Sequence, residues 1–515
     1  MKIKRSQYIS KDVVDKLYHW RDLPSKAAMF SRLEKYYLER QFEPKMDKFE
    51  DAVNKVQQVW QEHYGSDLKV HRVVDSFQDL PKSTSAGLPF IGGTRKGDVK
   101  NQMILLARKQ WERIKRGQQI RVLPCRAGAR CQLRLRGENK PRLIWAYPGY
   151  LSIIENQFLL ALKQFTPPKF MGWSVNWLDG GVSLNRLIFG DGNTWSSLAQ
   201  IDFSSFDSSI TIPLIMAAFK IFRSLFNLSQ HESIMLDQLR HYFIYTPLAL
   251  YNKIYIKERG IPSGSVFTQV IGSIINMIAC TYASNCSREY TLRIPYSCWL
   301  GDDSLLNFKE ALCKLEFDDQ FLVYFKDLGL EVSAEKTHYV TRWLTYHEEH
   351  FLYKRRYVKF LGKQIDLEDL TFHTNLEKLD AQMVLPEKPD LSRFDTGVRL
   401  IGLVWAYGAH YDVYLRILKV FLSLKLPPLI QFKDLVKHSS NPRKTSRQLE
   451  YFFSTLKYQL NLEIDSNELL SFPRFWDVSN RYFGSKYERL DFRSHKIVDD
   501  GVPYLALPPW RIARM

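Results

Sequence analysis

Two apolar runs, Tyr296–Leu300 and Ser304–Phe308, are joined through Gly301-Asp302-Asp303. Strand-forming residues on either side of a Gly-containing break predict a β-hairpin with two adjacent carboxylates at its tip. An acidic pair on a turn is by itself an ordinary solvated feature. A second stretch changes its meaning. Ala199-Gln200-Ile201-Asp202-Phe203-Ser204-Ser205-Phe206-Asp207 reads as a short buried strand that also ends on Asp. Carboxylates gathered at the ends of neighbouring strands repel one another unless a cation lies between them. Hard cations such as Mg²⁺ take one or two carboxylates and complete their shell with water and substrate phosphate. Two such ions about 3.5–4 Å apart form the clamp of polymerases and nucleases.

The balance of charge points the same way. The formal charge is +18, which implies a polyanionic partner. Residues 95–142 hold fifteen Lys or Arg against Asp98, Glu112 and Glu138, two-thirds of that excess. Phosphate contacts at this density make binding salt-dependent. The six cysteines lack the paired spacing of a zinc site, so reduced thiols are expected. The most apolar long run, 266–283, is broken by Thr268, Gln269, Ser273 and Asn276, which predicts a buried helix and no membrane span. At 515 residues the chain is long enough for two or three subdomains.

In chain order, residues 1–80 carry amphipathic helical patterns and predict a scaffold without chemistry of its own. Ser85-Ala86-Gly87-Leu88-Pro89 is a loop in which Gly permits close approach of a nucleic-acid strand. Residues 98–117 predict a basic amphipathic helix stopped by Gly117. The 130–145 segment alternates Arg with apolar residues, turns at Gly137-Glu138-Asn139 and returns through Lys140 and Arg142. It predicts a hairpin with guanidinium groups on one face, suited to phosphate. Gly260-Ile261-Pro262-Ser263-Gly264 leads into a helix whose small face carries Ser265, Thr268, Gly272, Ser273 and Asn276, a surface expected to touch substrate. Beyond residue 370 long helices are expected, notably 397–424 with Asp395 or Thr396 as N-cap.

Taken in order, these stretches resemble the catalytic motifs of viral RNA-dependent RNA polymerases. The similarity is to the partitivirus and picobirnavirus lineage of double-stranded RNA viruses, with the wording of 260–269 favouring partitivirus. The resemblance implies an α+β right hand with an antiparallel palm sheet and a closed fingers–thumb arrangement. It further implies an N-terminal extension over 1–80 and fingers over 81–195. Palm segments would cover 196–212 and 258–365, with an insertion at 213–257, and the thumb and C-terminal segment would cover 366–515. The implied activity is RNA synthesis from NTPs on an RNA template with two Mg²⁺ or Mn²⁺ ions. Asp202 and Asp302 would hold the ions, with Asp303 supporting. Arg142, Lys140 and Arg134 or Arg136 would steer the triphosphate, and Ser263 and Gly264 would form the loop under the nascent pair. Asp207 and Thr268 would contact the nucleotide, Ser85, Gly87 and Pro89 would guide template, and Lys336 would protonate pyrophosphate. Many relatives place a ribose-reading Asn where this chain has Gly272, which leaves Asn276, one turn later, as the candidate. A capsid protein is the implied partner, and the virus particle within the host cytoplasm the implied location. Two rivals remain: a reverse transcriptase or DNA polymerase, which the Asp at 207 disfavours, and a non-enzymatic RNA-binding protein.

Overall fold

The computed structural model describes residues 17–18, 25–130, 134–135, 142–174, 197–310, 314–333 and 336–344, with shorter stretches between 349 and 470. The strands that matter are β1 (Leu17–Tyr18), β2 (Cys125–Arg130), β3 (Arg134–Leu135), β4 (Arg142–Ala146), β5 (Ser197–Gln200), β6 (Pro247–Leu250), β7 (Lys253–Ile256), β8 (Cys298–Leu300), β9 (Asp303–Phe308), β10 (His338–Leu344) and β11 (Glu349–Tyr353). They form two principal sheets. The first is five-stranded in the order β11-β10-β5-β9-β8 and antiparallel throughout. The second runs β4-β2-β6-β7, with β2 and β6 parallel.

The first sheet is buried at β5 and β9, each of which sets apolar residues on both faces (Leu198 and Ala199, Leu305 and Leu306) beside buried polar ones. Every residue of β5 is buried, as are Ser304 to Phe308 of β9. The Thr268–Cys286 helix packs against it, and its length from Val270 to Ala283 is buried all round, as a core helix must be. That helix also packs against Met46–Tyr64 and Ile212–Arg223. Phe308 carries the core onward through edge-on contacts with Phe317 and Phe321. One continuous apolar cluster includes Trp60, Trp145, Phe158, Phe267 and Trp299, so the sheets and the N-terminal helices share a core.

Register delivers the acidic residues. β5 and β9 pair Ser197 with Phe308 and Ala199 with Leu306. That pairing ends three residues short of Asp202 on β5 and of Asp303 on β9, and the Asp303 carboxyl feels the Asp202 charge. Two expectations change. The helix expected over 397–424 is two helices, Arg393–Tyr407 and Tyr411–Ser423, so Asp395 and Thr396 lie inside the first and not at its cap. The strand paired with β4 is Cys125–Arg130, in register Arg130 to Arg142, while Arg134 belongs to β3 and pairs with Tyr18 of β1. Backbone pairing thus overrides the Arg-apolar alternation that predicted the hairpin arm at 130–136. No helix among the described residues is long and apolar enough to cross a membrane. Cys125, Cys280, Cys286 and Cys298 are free thiols, and Cys131 and Cys313 lie outside the described residues.

Candidate active site

The hairpin forms as its residues dictate. Leu300 and Asp303 are the last pair of β8 and β9, leaving Gly301 and Asp302 as a two-residue loop. Gly301 has φ 65°, and Gly suits a first central position with positive φ. The loop is fastened from below. The Gly301 N–H donates to Ser273 Oγ at 2.8 Å, and Asn276 Nδ2 donates to the carbonyls of Gly301 (3.0 Å) and Asp302 (3.1 Å). Asn276 Oδ1 accepts from the Cys280 thiol at 3.3 Å. Asn276 is fully buried with both ends of its amide engaged, and it supports the acidic turn. The small face of this helix was expected to meet substrate; at Ser273 and Asn276 it meets the turn.

Asp202 follows β5 and is half-buried. Its N–H donates to Thr337 Oγ1 at 3.4 Å, and its carbonyl accepts from the Ser333 N–H at 2.8 Å. Lys336 stands exposed on the turn between those two partners. The four acids share one electrostatic environment. Burial pushes the Asp303 carboxyl up to about 7, with repulsion from Asp302 and Asp202 adding to it and Arg142 opposing it. Asp207 is pushed up to about 6 by protein crowding around it and then by Asp302, again opposed by Arg142. Asp207 and Asp302 are nonetheless exposed, so the acidic group opens to water.

Among the described residues no three Asp, Glu, His or Cys side chains converge tightly enough to hold an ion unaided. Hard cations need only one or two carboxylates and complete their shell with water and phosphate. The repulsion that Asp302 and Asp202 exert on Asp303 is what such a cation would relieve.

Two other expected elements converge on the main chain just after Arg142. Gly264 lies so close to β4 that a Cβ there would stand 1.7 Å from the Trp145 carbonyl oxygen. A Cβ on Gly87, at φ 63°, would stand 2.1 Å from the Tyr147 carbonyl oxygen. The Gly149 N–H donates to the Ala86 carbonyl at 2.8 Å, and Trp145 N–H donates to Ser263 Oγ at 3.4 Å. The 84–90 loop, strand β4 and the 260–268 loop are therefore stacked as one unit. Ser85 Oγ accepts from the Gly87 N–H, and Pro89 follows a cis peptide bond. Thr268 Oγ1 donates to the Pro262 carbonyl at 2.7 Å, closing the 260–268 loop on itself.

Arg142 is exposed and acts on both Asp207 and Asp303. Arg136 and Lys140 lie outside the described residues, and for Arg134 only the backbone is described. Three residues escaped the sequence reading. Glu155 is wholly buried, its Oε1 accepting from Tyr147 Oη (2.7 Å) and its Oε2 from Ser265 Oγ (2.9 Å) and the Val266 N–H (2.8 Å). Tyr36 stacks edge-on against Trp145 and donates to the Ile261 carbonyl at 3.3 Å. Lys35 donates to Ser205 Oγ at 2.7 Å, between Asp202 and Asp207. The 1–80 region, expected to be scaffold alone, thus reaches the acidic site. Only Glu155 carried a sequence signal, a lone acid within an apolar helix.

Comparison with known proteins fits this geometry. Residues 2–382 match the family of viral RNA-dependent RNA polymerases. The chain is 64% identical over 498 residues to the RNA-directed RNA polymerase of Cryptosporidium parvum virus 1 (strain KSU-1), covering 96% of this chain and 95% of that one. A segment covering 31% of the chain is 31% identical to the genome polyprotein of Triticum mosaic virus, of which it spans 5%. The RNA-dependent RNA polymerase of a human picobirnavirus superposes with a TM-score of 0.55 at 16% identity, over 91% of this chain and 84% of that one, which shows a shared right-hand fold. The reverse-transcriptase and non-enzymatic readings are set aside on these grounds. Matched over three-quarters of its length by that family and 64% identical to one of its polymerases, the chain belongs to the viral RNA-dependent RNA polymerases.

Proposed function

We propose that this polymerase replicates and transcribes a double-stranded RNA genome of the partitivirus kind, and that the acidic site is where nucleotides are joined. The observation that carries the reading is the gathering of acids at one turn: Asp302 and Asp202 repel Asp303, Asp302 repels Asp207, and Arg142 opposes that charge at both Asp207 and Asp303. Asp202 and Asp302, with Asp303 beside them, would hold two Mg²⁺ or Mn²⁺ ions. When bound, such ions supply Lewis-acid activation of the attacking hydroxyl and charge stabilisation of the leaving pyrophosphate.

The chain's own groups do the rest. Arg142 offsets the charge that accumulates on the triphosphate oxygens, and its freedom from burial lets it follow them. Asp207 accepts from the ribose hydroxyls, which an aromatic side chain at this position would exclude. Lys336, on a turn bonded to both backbone groups of Asp202, donates a proton to the departing pyrophosphate, a step worth roughly 10²–10⁴-fold. Ser263, Gly264 and Thr268 sit beneath the nascent pair, while Ser85, Gly87 and Pro89 border the template.

In domain terms we assign 1–80 to an extension, 81–195 to fingers and 196–212 with 258–365 to the palm. The 213–257 stretch is an insertion, and 366–515 forms the thumb and C-terminal segment. RNA template and product and NTPs are its ligands. A capsid protein is its expected partner inside the particle, in the host cytoplasm.

Asp302→Asn tests the reading directly. It removes a charge and keeps the shape of the turn, so template-directed synthesis should be lost while RNA affinity stays near that of the parent. Near-parental synthesis by this variant would refute the assignment.

A further inference from the structure

Ser205 is the residue on which the path between Asp202 and Asp207 turns. Its backbone is left-handed, φ 57° and ψ 43°, a conformation unfavourable for a residue with a Cβ. It precedes the short Phe206–Ser209 helix, where a serine would ordinarily turn its hydroxyl onto the helix N-terminus. Here it does not. Its carbonyl accepts from Ser208 and Ser209, and its hydroxyl accepts from Lys35 Nζ at 2.7 Å.

Lys35 is not an ordinary solvated lysine. It is half-buried at the end of the Lys26–Glu34 helix, and burial together with Arg32 and Arg40 depresses its ammonium. The acid within reach, Glu331, is bonded to Arg40 instead. The neighbouring Tyr36 completes the clasp. It donates to the Ile261 carbonyl, and the Ile261 N–H donates to the Asp207 carbonyl at 2.7 Å. Gly260 leaves the room this needs, since a Cβ there would stand 2.5 Å from the Asp207 carbonyl oxygen and 2.8 Å from the Tyr36 ring.

We infer that Lys35 is a specificity-positioning residue: by holding the left-handed Ser205 turn from outside the catalytic sheet, it fixes where Asp207 stands relative to the nucleotide sugar. The inference rests on the reading of Asp207 as the group that meets the ribose. Lys35 acts through Ser205, so its loss should change choice of sugar more than rate of synthesis with the correct one.

The test is template-directed incorporation of NTPs against 2′-deoxy-NTPs by full-length Lys35→Met, Lys35→Arg, Ser205→Ala and the Lys35→Met/Ser205→Ala double variant. Lys35→Met should lower the ribose-to-deoxyribose preference about tenfold, the scale of one lost positioning hydrogen bond to a charged group. Ser205→Ala should match it, the double variant should lose no more than either, and Lys35→Arg should recover most of the preference. Melting-temperature shifts induced by ATP and by 2′-deoxy-ATP should converge in Lys35→Met while remaining distinct in the parent. Equal loss of synthesis with both sugars would mean a purely structural role and would overturn the inference, as would parental preference in Ser205→Ala. Asp207→Ala separates the two readings. If that variant keeps parental preference, the ribose role of Asp207 falls; if it loses preference and Lys35→Met does not, Lys35 alone is misassigned.

Discussion

Glu155 lies wholly inside the protein, where Tyr147, Ser265 and the Val266 amide all donate to it. Desolvation dominates those bonds and raises its carboxyl to about 7 from an ordinary 4.5. The folded chain therefore holds this proton over a range in which the unfolded chain has released it. Stability from this group is fully present below 4.5 and declines as pH rises to about 7, by on the order of 3 kcal/mol in all. Glu155→Gln keeps acceptor and shape without the ionisation. The unfolding free energy of the parent relative to Glu155→Gln should thus fall between pH 4.5 and 7.5, measured by denaturant unfolding. A difference constant with pH would count against the buried acid. At this scale legibility was divided by distance along the chain. The positions of Asp202 and Asp302 could be anticipated because each follows two residues after its own short buried strand. The fastening of the turn by Asn276 was not legible, because its partners, the carbonyls of Gly301 and Asp302, arrive from a hairpin some twenty-five residues away.

At the level of elements, the Gln230–Ile244 helix ends on an unusual cap. Lys257, fully buried, donates to the Phe243 and Ile244 carbonyls (both 2.6 Å) and to Gly260 (2.7 Å). One ammonium therefore satisfies the end of a helix and the start of the loop that carries Ser263 and Gly264. Lys257→Met leaves three carbonyls without that donor. The expected loss is on the order of 3 kcal/mol in unfolding free energy, read from chemical denaturation. A parental value would show that the carbonyls find other donors. The hairpins and the buried 268–286 helix were visible as patterns, because alternation and all-round apolarity are local properties. The partner of β4 was not, since strand pairing is decided by backbone bonds that no single stretch encodes.

For the molecule as a whole, the +18 charge has a definite address. The Lys100–Lys115 helix buries Met103, Ile104, Ala107 and Ile114, while Arg108, Lys109, Lys115 and Arg116 stay exposed. RNA affinity should fall steeply with salt, and Arg108→Glu/Lys109→Glu/Arg116→Glu should flatten the log–log slope by about 2 for single-stranded RNA. Fluorescence anisotropy across a KCl series measures it; an unchanged slope would place the RNA path elsewhere. The right-hand plan was legible because several short signals recur in one order. The part played by residues 35 and 36 was not, because their contacts cross between 109 and 225 positions of sequence.

Gly87 and Gly264 press on the carbonyl oxygens of Tyr147 and Trp145, which are main-chain atoms. A side chain that crowds another can be accommodated by trimming its neighbour, but a peptide oxygen is present whatever residue bears it. No second substitution along β4 can make room for a methyl group at either glycine. Selection for suppressors of Gly264→Ala should return reversion, or changes that shift a whole loop, and no compensating partner at 145 or 147.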